Sequence, residues 1–268
     1  MAAKIMGIVN VTPDSFSDRG CYFDHNEAIM HALRLVEQGA DLIDIGGESS
    51  RPDSNSISEK EESERVLPVI KALADKINVP ISIDTVKVKV AEAAIDAGAC
   101  FINDVSGFRD PDMIALAAEK KVSVCCMHML GDPKTMQSNP QYAEGVVTEL
   151  IRWMEERAQA LTSAGIKEDK IVMDPGIGFG KTVAHNLEII HNLHRLKTVG
   201  YPILLGASRK SFMTKITGVP PHELDFATVA VHAAGIYQGV DYIRVHNVAA
   251  HCEAVDVLNE MQRVARID

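Results

Sequence analysis

A barrel of eight parallel strands wrapped by helices, an α/β fold, is the class this sequence predicts, and three observations predict it. Short runs rich in Val and Ile recur eight times along the 268 residues. Each is followed by a polar or glycine-containing turn and then by a segment with apolar residues at helical spacing. The runs are continuously apolar, the pattern of strands buried on both faces as in parallel sheets. Strict alternation of strand and helix implies right-handed crossovers. Eight units favour closure into one single-domain (β/α)8 TIM barrel over residues 1–268, with an open doubly wound sheet as the alternative.

The strands are expected at Lys4 to Val11, Asp41 to Gly46, Pro80 to Asp84, Cys100 to Val105, Val122 to Met127, Lys170 to Asp174, Pro202 to Ala207 and Tyr242 to Val245. Helical spacing covers Asn26 to Gln38, Glu59 to Lys76, Lys87 to Ala97, Tyr142 to Ala164, Ala184 to Lys197 and Ala249 to Arg266. Gly39, Asn78, Gly98, Gly165 and Gly200 stand where helix C-caps belong. Thr12 to His25 and Ser49 to Ser58 are rich in Ser, Asp, Asn, Gly and Pro, and both follow strands. In a barrel, long polar loops on that side belong over the active site.

With 46% hydrophobic residues the chain can bury one large core. A net charge of −10 argues against general nucleic-acid binding, which needs a basic patch. An anionic ligand would have to be met by locally concentrated positive charge. The five cysteines, Cys21, Cys100, Cys125, Cys126 and Cys252, lack CxxC spacing and lie mostly inside apolar runs, so they read as buried thiols of a reducing compartment. No apolar stretch reaches the roughly 18 residues of a membrane span, so no membrane partner and a cytoplasmic location are expected.

Each apolar run ends in polar residues. Asn10 closes the first, Asp44 and Glu48 the second, Asp84 the third, and Asn103 with Asp104 the fourth. Met127 and His128 close the fifth, Asp174 the sixth, Ser208, Arg209 and Lys210 the seventh, and Arg244 and His246 the eighth. Any one of these can cap a helix or satisfy a loop. All eight together describe a polar ring at one barrel mouth, where a small ligand would bind.

Several of these residues carry two readings. Asp84 can cap the helix starting near Lys87, and Asp174 before Pro175 can start a turn. The stretch Asp174 to Thr182 looks like a phosphate loop, but Pro175 stands where a Walker motif needs its first glycine. Gly176, Gly178 and Gly180 either form a tight turn or let the backbone approach a flat ligand that Phe179 covers. Lys210 beside Arg209 suits charge recognition better than a Schiff base, with a solvated pair as the plain alternative. Arg244 and His246, two residues apart, share a strand face and with Arg51 could neutralise an anion. The first strand lacks the His-x-His pair of a zinc hydrolase, while Asn10 offers one oxygen ligand for Mg2+.

Seven ordered motifs, Gly7 to Asp18, Asp44 to Pro52, Ile83 to Thr85, Asn103 to Gly107, Asp174 to Lys181, Ser208 to Ser211 and Arg244 to His246, make the chain resemble the bacterial dihydropteroate synthases along essentially its whole length. That family condenses 6-hydroxymethyl-7,8-dihydropterin pyrophosphate with 4-aminobenzoate to 7,8-dihydropteroate and pyrophosphate in folate synthesis. The resemblance implies Asp84, Asn103, Asp174 and Lys210 on the pterin, Met127 and Phe179 as apolar walls, and Arg244 stacked on the ring. It implies Asn10, Arg244 and His246 at the pyrophosphate, with Asn10 also contacting Mg2+. Phe16 of the first loop, Ser50 and Arg51 of the second, and Ser211, which would receive the 4-aminobenzoate carboxylate, complete the implied set. Asp84, Lys210, Arg51, Arg244 and His246 are the catalytic residues so implied, and a homodimer the assembly.

Two departures from the family pattern touch the loops that meet 4-aminobenzoate. Ser50 stands where Thr is usual, and Arg19 follows Asp18 where two glycines are common. Both bear on affinity for that substrate and for its sulfonamide mimics. A pterin-binding methyltransferase would share the barrel and polar ring but use a methylated folate and need no pyrophosphate clamp, so Arg51, Arg244 and His246 count against it. A catalytically inactive pterin-binding module would be expected to have lost part of the ring or loops, and all are present.

Overall fold

The structure, a computed structural model, describes residues 3–12, 25–49, 56–132 and 135–264. Phe16, Ser50 and Arg51 lie outside the described residues. Eight parallel strands are present: β1 (Lys4–Asn10), β2 (Leu42–Gly46), β3 (Ile81–Asp84), β4 (Phe101–Asp104), β5 (Ser123–Met127), β6 (Ile171–Asp174), β7 (Leu204–Leu205) and β8 (Tyr242–Val245). They pair in the order β6-β5-β4-β3-β2-β1-β8-β7. A single parallel bridge, Met173 with Ile203, brings β6 beside β7 and closes the ring. Pairing of β1 with β8 and closure at β6 and β7 rule out the open doubly wound sheet and give the expected (β/α)8 barrel.

The helices around it are α1 (His25–Glu37), α2 (Glu59–Ala74), α3 (Val88–Asp96), α4 (Pro111–Lys120), α5 (Val146–Ser163), α6 (Val183–His191), α7 (Leu193–Leu196), α8 (Ser211–Thr217), α9 (Asp225–Tyr237) and α10 (Val248–Val264). Local chemistry explains several ends. Ser58 caps α2 by accepting from Glu61 N, and Asp110 caps α4 by accepting from Asp112 N at 2.9 Å, with Pro111 at the first helical position. Gly39, Gly98, Gly165 and Gly200 take positive φ as expected of C-caps. Asn78 does not: α2 stops at Ala74 and Asp75 is its cap. The expected helix from Ala184 to Lys197 is broken at Asn192 into α6 and α7.

Side chains alternate along a strand, so every second residue points into the barrel. Met6, Leu42, Phe101, Cys125, Val172 and Leu204 form one buried cluster that plugs the interior, with Tyr242 packed against it. Two positions further along the same strands stand Ile8, Asp44, Asn103, Met127, Asp174, Gly206 and Arg244. The polar ring therefore rests directly on an apolar floor at the C-terminal ends of the strands, where barrel active sites lie. Cys125 and Cys126 are buried as expected, but Cys100 is exposed because β4 begins one residue later. Among the described residues no helix is long and apolar enough to cross a membrane.

Candidate active site

Strands β2, β3, β4 and β8 bring Asp44, Ser82, Asp84, Asn103 and Arg244 into one hydrogen-bonded array. Asp44, fully buried, accepts from Ser82 Oγ at 2.6 Å, Asn103 Nδ2 at 3.0 Å and Arg244 Nε at 2.6 Å. Arg244 Nη2 donates to Asp84 Oδ2 at 2.7 Å. Burial raises the Asp84 pKa, Arg244 opposes the rise, and the like charge of Asp44 adds to it. For Arg244, burial works against the charge, but Asp44 and Asp84 outweigh it and hold the guanidinium ionised. Asp84 does not cap α3, whose cap position is Lys87 with no side-chain cap bond. Its carboxylate belongs to the barrel interior.

On the opposite side, Asp174 Oδ1 accepts the Gly176 N–H at 2.6 Å, so the carboxyl does set the turn. It also lies in the inward layer, where burial pushes its pKa up to about 6. Lys210 Nζ sits 4.1 Å from the centroid of the Phe179 ring. Phe179 packs with Met127, Met129 and Met136, which brings the two expected apolar walls together. The three glycines divide between the two readings. A Cβ at Gly176 would fall 1.9 Å from the His128 carbonyl oxygen, and one at Gly180 would fall 2.5 Å from Leu130 Cβ. Those two serve the packing of the turn on the end of β5. Gly178 instead faces the Lys210 side chain, 3.4 Å from its Cδ.

At the ends of β7 and β8, Ser208 Oγ lies 2.8 Å from His246 Nδ1 and accepts the His246 N–H at 3.2 Å. Arg209 is half-buried and engaged by α9: its Nε and Nη2 donate to Asp225 at 2.8 and 3.1 Å. Ser211 is the exposed first residue of α8. Two further strand-end residues are structural. Asp104 accepts from Ser106 N and Phe108 N at 2.7 and 3.0 Å, and Glu48 pairs with Lys87, which also pairs with Glu62. Asn10 ends β1 opposite Gly46. Among the described residues no group of three or more His, Cys, Asp or Glu could hold a metal. One carboxamide oxygen nevertheless suits Mg2+, which commonly keeps waters and takes its remaining ligands from substrate phosphates.

The sequence matches the family described as pterin binding enzymes over residues 6–246. The chain belongs to that family. The chain is similar to the dihydropteroate synthase of Clostridium beijerinckii, 44% identical over 261 residues, which are 97% of this chain and 94% of that one. The Yersinia pestis dihydropteroate synthase in complex with a sulfonamide drug superposes with a TM-score of 0.93 at 41% identity, covering 98% of this chain and 95% of that one. The Xanthomonas albilineans enzyme with 7,8-dihydropteroate gives a TM-score of 0.88 at 40% identity, covering 97% and 94%.

For a pterin binding enzyme, the inward layer also holds Asp44, a polar strand end to which the family resemblance assigns no role, and Gly206. Asp44 is the acceptor that gathers Asn103 and Arg244. Gly206 leaves space beside Asp174, since a Cβ there would lie 3.2 Å from Asp174 Oδ2. Counting in twos from the apolar floor residues locates both. Lys181 needed the structure. It is 3% exposed, donates to the Phe179 carbonyl at 3.0 Å and meets His128 Nδ1 at 2.9 Å. Burial lowers the Lys181 pKa to about 7 and, with the Lys181 charge, that of His128 to about 2. The pair supports the Phe179 turn from behind.

Proposed function

We propose that this polar ring carries out the dihydropteroate synthase reaction, in which 4-aminobenzoate displaces pyrophosphate from 6-hydroxymethyl-7,8-dihydropterin pyrophosphate. The observation that carries the reading is the set of buried Asn103 and Asp174 with half-buried Asp84 and Lys210 above an apolar floor, beside Phe179 and Met127. A pterin edge offers alternating donors and acceptors that carboxylates, a carboxamide and an ammonium can pair, and buried polar groups of this kind demand partners. Arg244, fixed edge-on by Asp44 and Asp84, presents its guanidinium plane to the ring.

The reacting carbon bears the pyrophosphate and adjoins an electron-rich ring, so departure of pyrophosphate ahead of attack by the aniline nitrogen fits the chemistry. His246 and Arg51 would stabilise the leaving group. Ser208, which accepts the His246 N–H, has its own proton available for Nδ1, leaving Nε2–H to donate to a phosphate oxygen. Asn10 would hold Mg2+, which when bound supplies charge neutralisation for the departing pyrophosphate. Phe16, Ser50 and Ser211 would hold 4-aminobenzoate, Ser211 at its carboxylate. Pyrophosphate release from the purified protein with both substrates and Mg2+, and none when either substrate is omitted, is the expected result. No release with both present would sink the reading. Kinetic isotope effects at the reacting carbon test the order of bond breaking.

A cytoplasmic homodimer completes the reading. Its support is the exposed apolar side chains on the adjacent helices α9 and α10: Phe226, Tyr237, Val257, Met261 and Val264. Sedimentation should give a dimer, and Phe226→Glu should shift it to monomer.

A further inference from the structure

Strand β7 is the weakest stave of the barrel. Only Leu204 and Leu205 pair with β8, and the contact with β6 is the single Met173 bridge. Residues 206–210 therefore leave the ladder, yet they carry Ser208 and Lys210. Besides the Ser208 contact with His246, three contacts with α9 hold them. Ala207 N donates to His232 Nε2 at 3.3 Å, Arg209 N to Thr228 Oγ1 at 3.1 Å, and the Arg209 side chain to Asp225. With this grip, Arg209 keeps a left-handed φ of +56.

The His232 contact continues. Its Nδ1 lies 2.9 Å from His251 Nε2 of α10, and His251 Nδ1 lies 2.6 Å from the carbonyl oxygen of Asn247. Ala207 is followed by Ser208 and Asn247 preceded by His246, and those two are bonded to each other. The result is a closed loop: Ser208 with His246 faces the mouth, and His232 with His251 ties the same two chain segments together underneath. Hydrogen positions follow from the two ends. The Ala207 amide can only donate, so its bond at 3.3 Å makes His232 Nε2 the acceptor and puts the proton on Nδ1, against the competing pull of the Leu205 main chain. A carbonyl can only accept, so the His251 proton is also on Nδ1, and its Nε2 takes the His232 proton. Both rings are then neutral, each in one tautomer. Their burial, at 0% and 1% exposure, agrees, since it holds both pKa values below the ordinary imidazole range.

We propose that His232 and His251 are positioning residues for the reaction: a neutral, single-tautomer relay that fixes the unladdered end of β7, and with it Lys210, against His246 at the end of β8. The role rests on the reading of Lys210 and His246 as substrate-binding residues, but the relay itself does not.

Two measurements separate these. In the full-length protein with 15N-labelled histidine, the relay requires two imidazoles with protonated Nδ1 and bare Nε2, unchanged between about pH 6 and pH 8. Finding either ring as the Nε2–H tautomer or as imidazolium would overturn it whatever the substrate. His232→Phe then removes the acceptor for Ala207. The expected result is about a tenfold rise in KM for the pterin pyrophosphate, with KM for 4-aminobenzoate within about twofold, in a protein that remains folded by circular dichroism. If His232→Phe does not fold, His251→Gln, which keeps an acceptor for His232 and a donor for Asn247, should bring back most of the parent's pterin KM on a folded protein, and a KM like that of an unrelated core variant would refute positioning. Unchanged pterin KM in folded His232→Phe would also refute it. If Lys210→Ala leaves pterin binding intact, the site reading fails, while the tautomer result stands on its own.

Discussion

Replacing Asp174 with Asn should stabilise the fold while stopping turnover. The Asp174 carboxyl is buried, and its pKa rises from 3.8 to about 6 because burial outweighs the Gly176 N–H bond and the charges of Lys210, Lys181 and Arg244. Between those two values the folded protein binds more protons than the unfolded chain, so the stability is fully present below the unfolded value and is lost as pH rises through the folded one. The gap, 6 less 3.8, amounts to ~3 kcal/mol at about 1.4 kcal/mol per pH unit. Asn has nearly the same shape, stays neutral, and keeps an oxygen for the Gly176 N–H. The variant should therefore gain up to ~3 kcal/mol near pH 8 and almost nothing near pH 4. At about 2–4 °C per kcal/mol for a chain of this size, Tm should rise by about 6–12 °C near pH 8. Urea unfolding of both proteins across that range measures it. A variant no more stable than its parent near pH 8, or one whose advantage shrinks as pH rises, would refute the burial argument. Pyrophosphate release should be lost at every pH, and retained turnover would remove Asp174 from the site.

Four other outcomes are expected. Gly206→Ala places a methyl 3.2 Å from Asp174 Oδ2 on a backbone that tolerates it, so the protein should fold and calorimetry should find pterin binding weakened about tenfold. Gly176→Ala meets the His128 carbonyl at 1.9 Å on a φ of +66 and should cost at least ~3 kcal/mol in urea unfolding. Asp44→Asn leaves the half-buried Arg244 short of one counter-charge, and kcat/KM for the pterin substrate should fall about a hundredfold, ~3 kcal/mol. Chelating Mg2+, or Asn10→Ala, should weaken binding of the pterin pyrophosphate while leaving the pterin alcohol unaffected, as titration calorimetry would resolve.

The fold was legible because parallel strands buried on both faces write themselves as continuous apolar runs, and Lys4, Leu42 and Ile81 open strands within two residues of where those runs begin. Helix α9 was not, because Asp225 to Tyr237 is apolar nearly all round and has little amphipathic period to read. Polar strand ends pointed to Asp84, Asn103, Asp174, Arg244 and His246, and to Lys210 beyond β7, all of which stand at the C-terminal ends of their strands. They also drew in Glu48, Asp104 and Arg209, whose partners Lys87, Ser106 and Asp225 lie in loops and helices that periodicity does not place. Lys181 was invisible for the opposite reason: a lysine after a glycine turn reads as exposed, and only tertiary packing buries it against His128.

The structure also reassigns charge within the mouth. An acidic protein that takes an anionic substrate needs local positive charge, and the sequence offers Arg244, His246 and Arg51 for it. Within the barrel, however, Arg244, Lys181 and Lys210 face Asp44, Asp84 and Asp174, three potential cations against three potential anions. Arg244 is directly bonded to two of those carboxylates. That array has no surplus of positive charge to offer a pyrophosphate, and its near balance suits an uncharged heterocycle read through hydrogen bonds. On the proposed reading, charge for the leaving group would come from outside it, from His246, Arg51 and the Mg2+ proposed at Asn10. The near balance would thus give that Mg2+ its task, and Arg244, bonded to Asp44 and Asp84, would act mainly on the pterin.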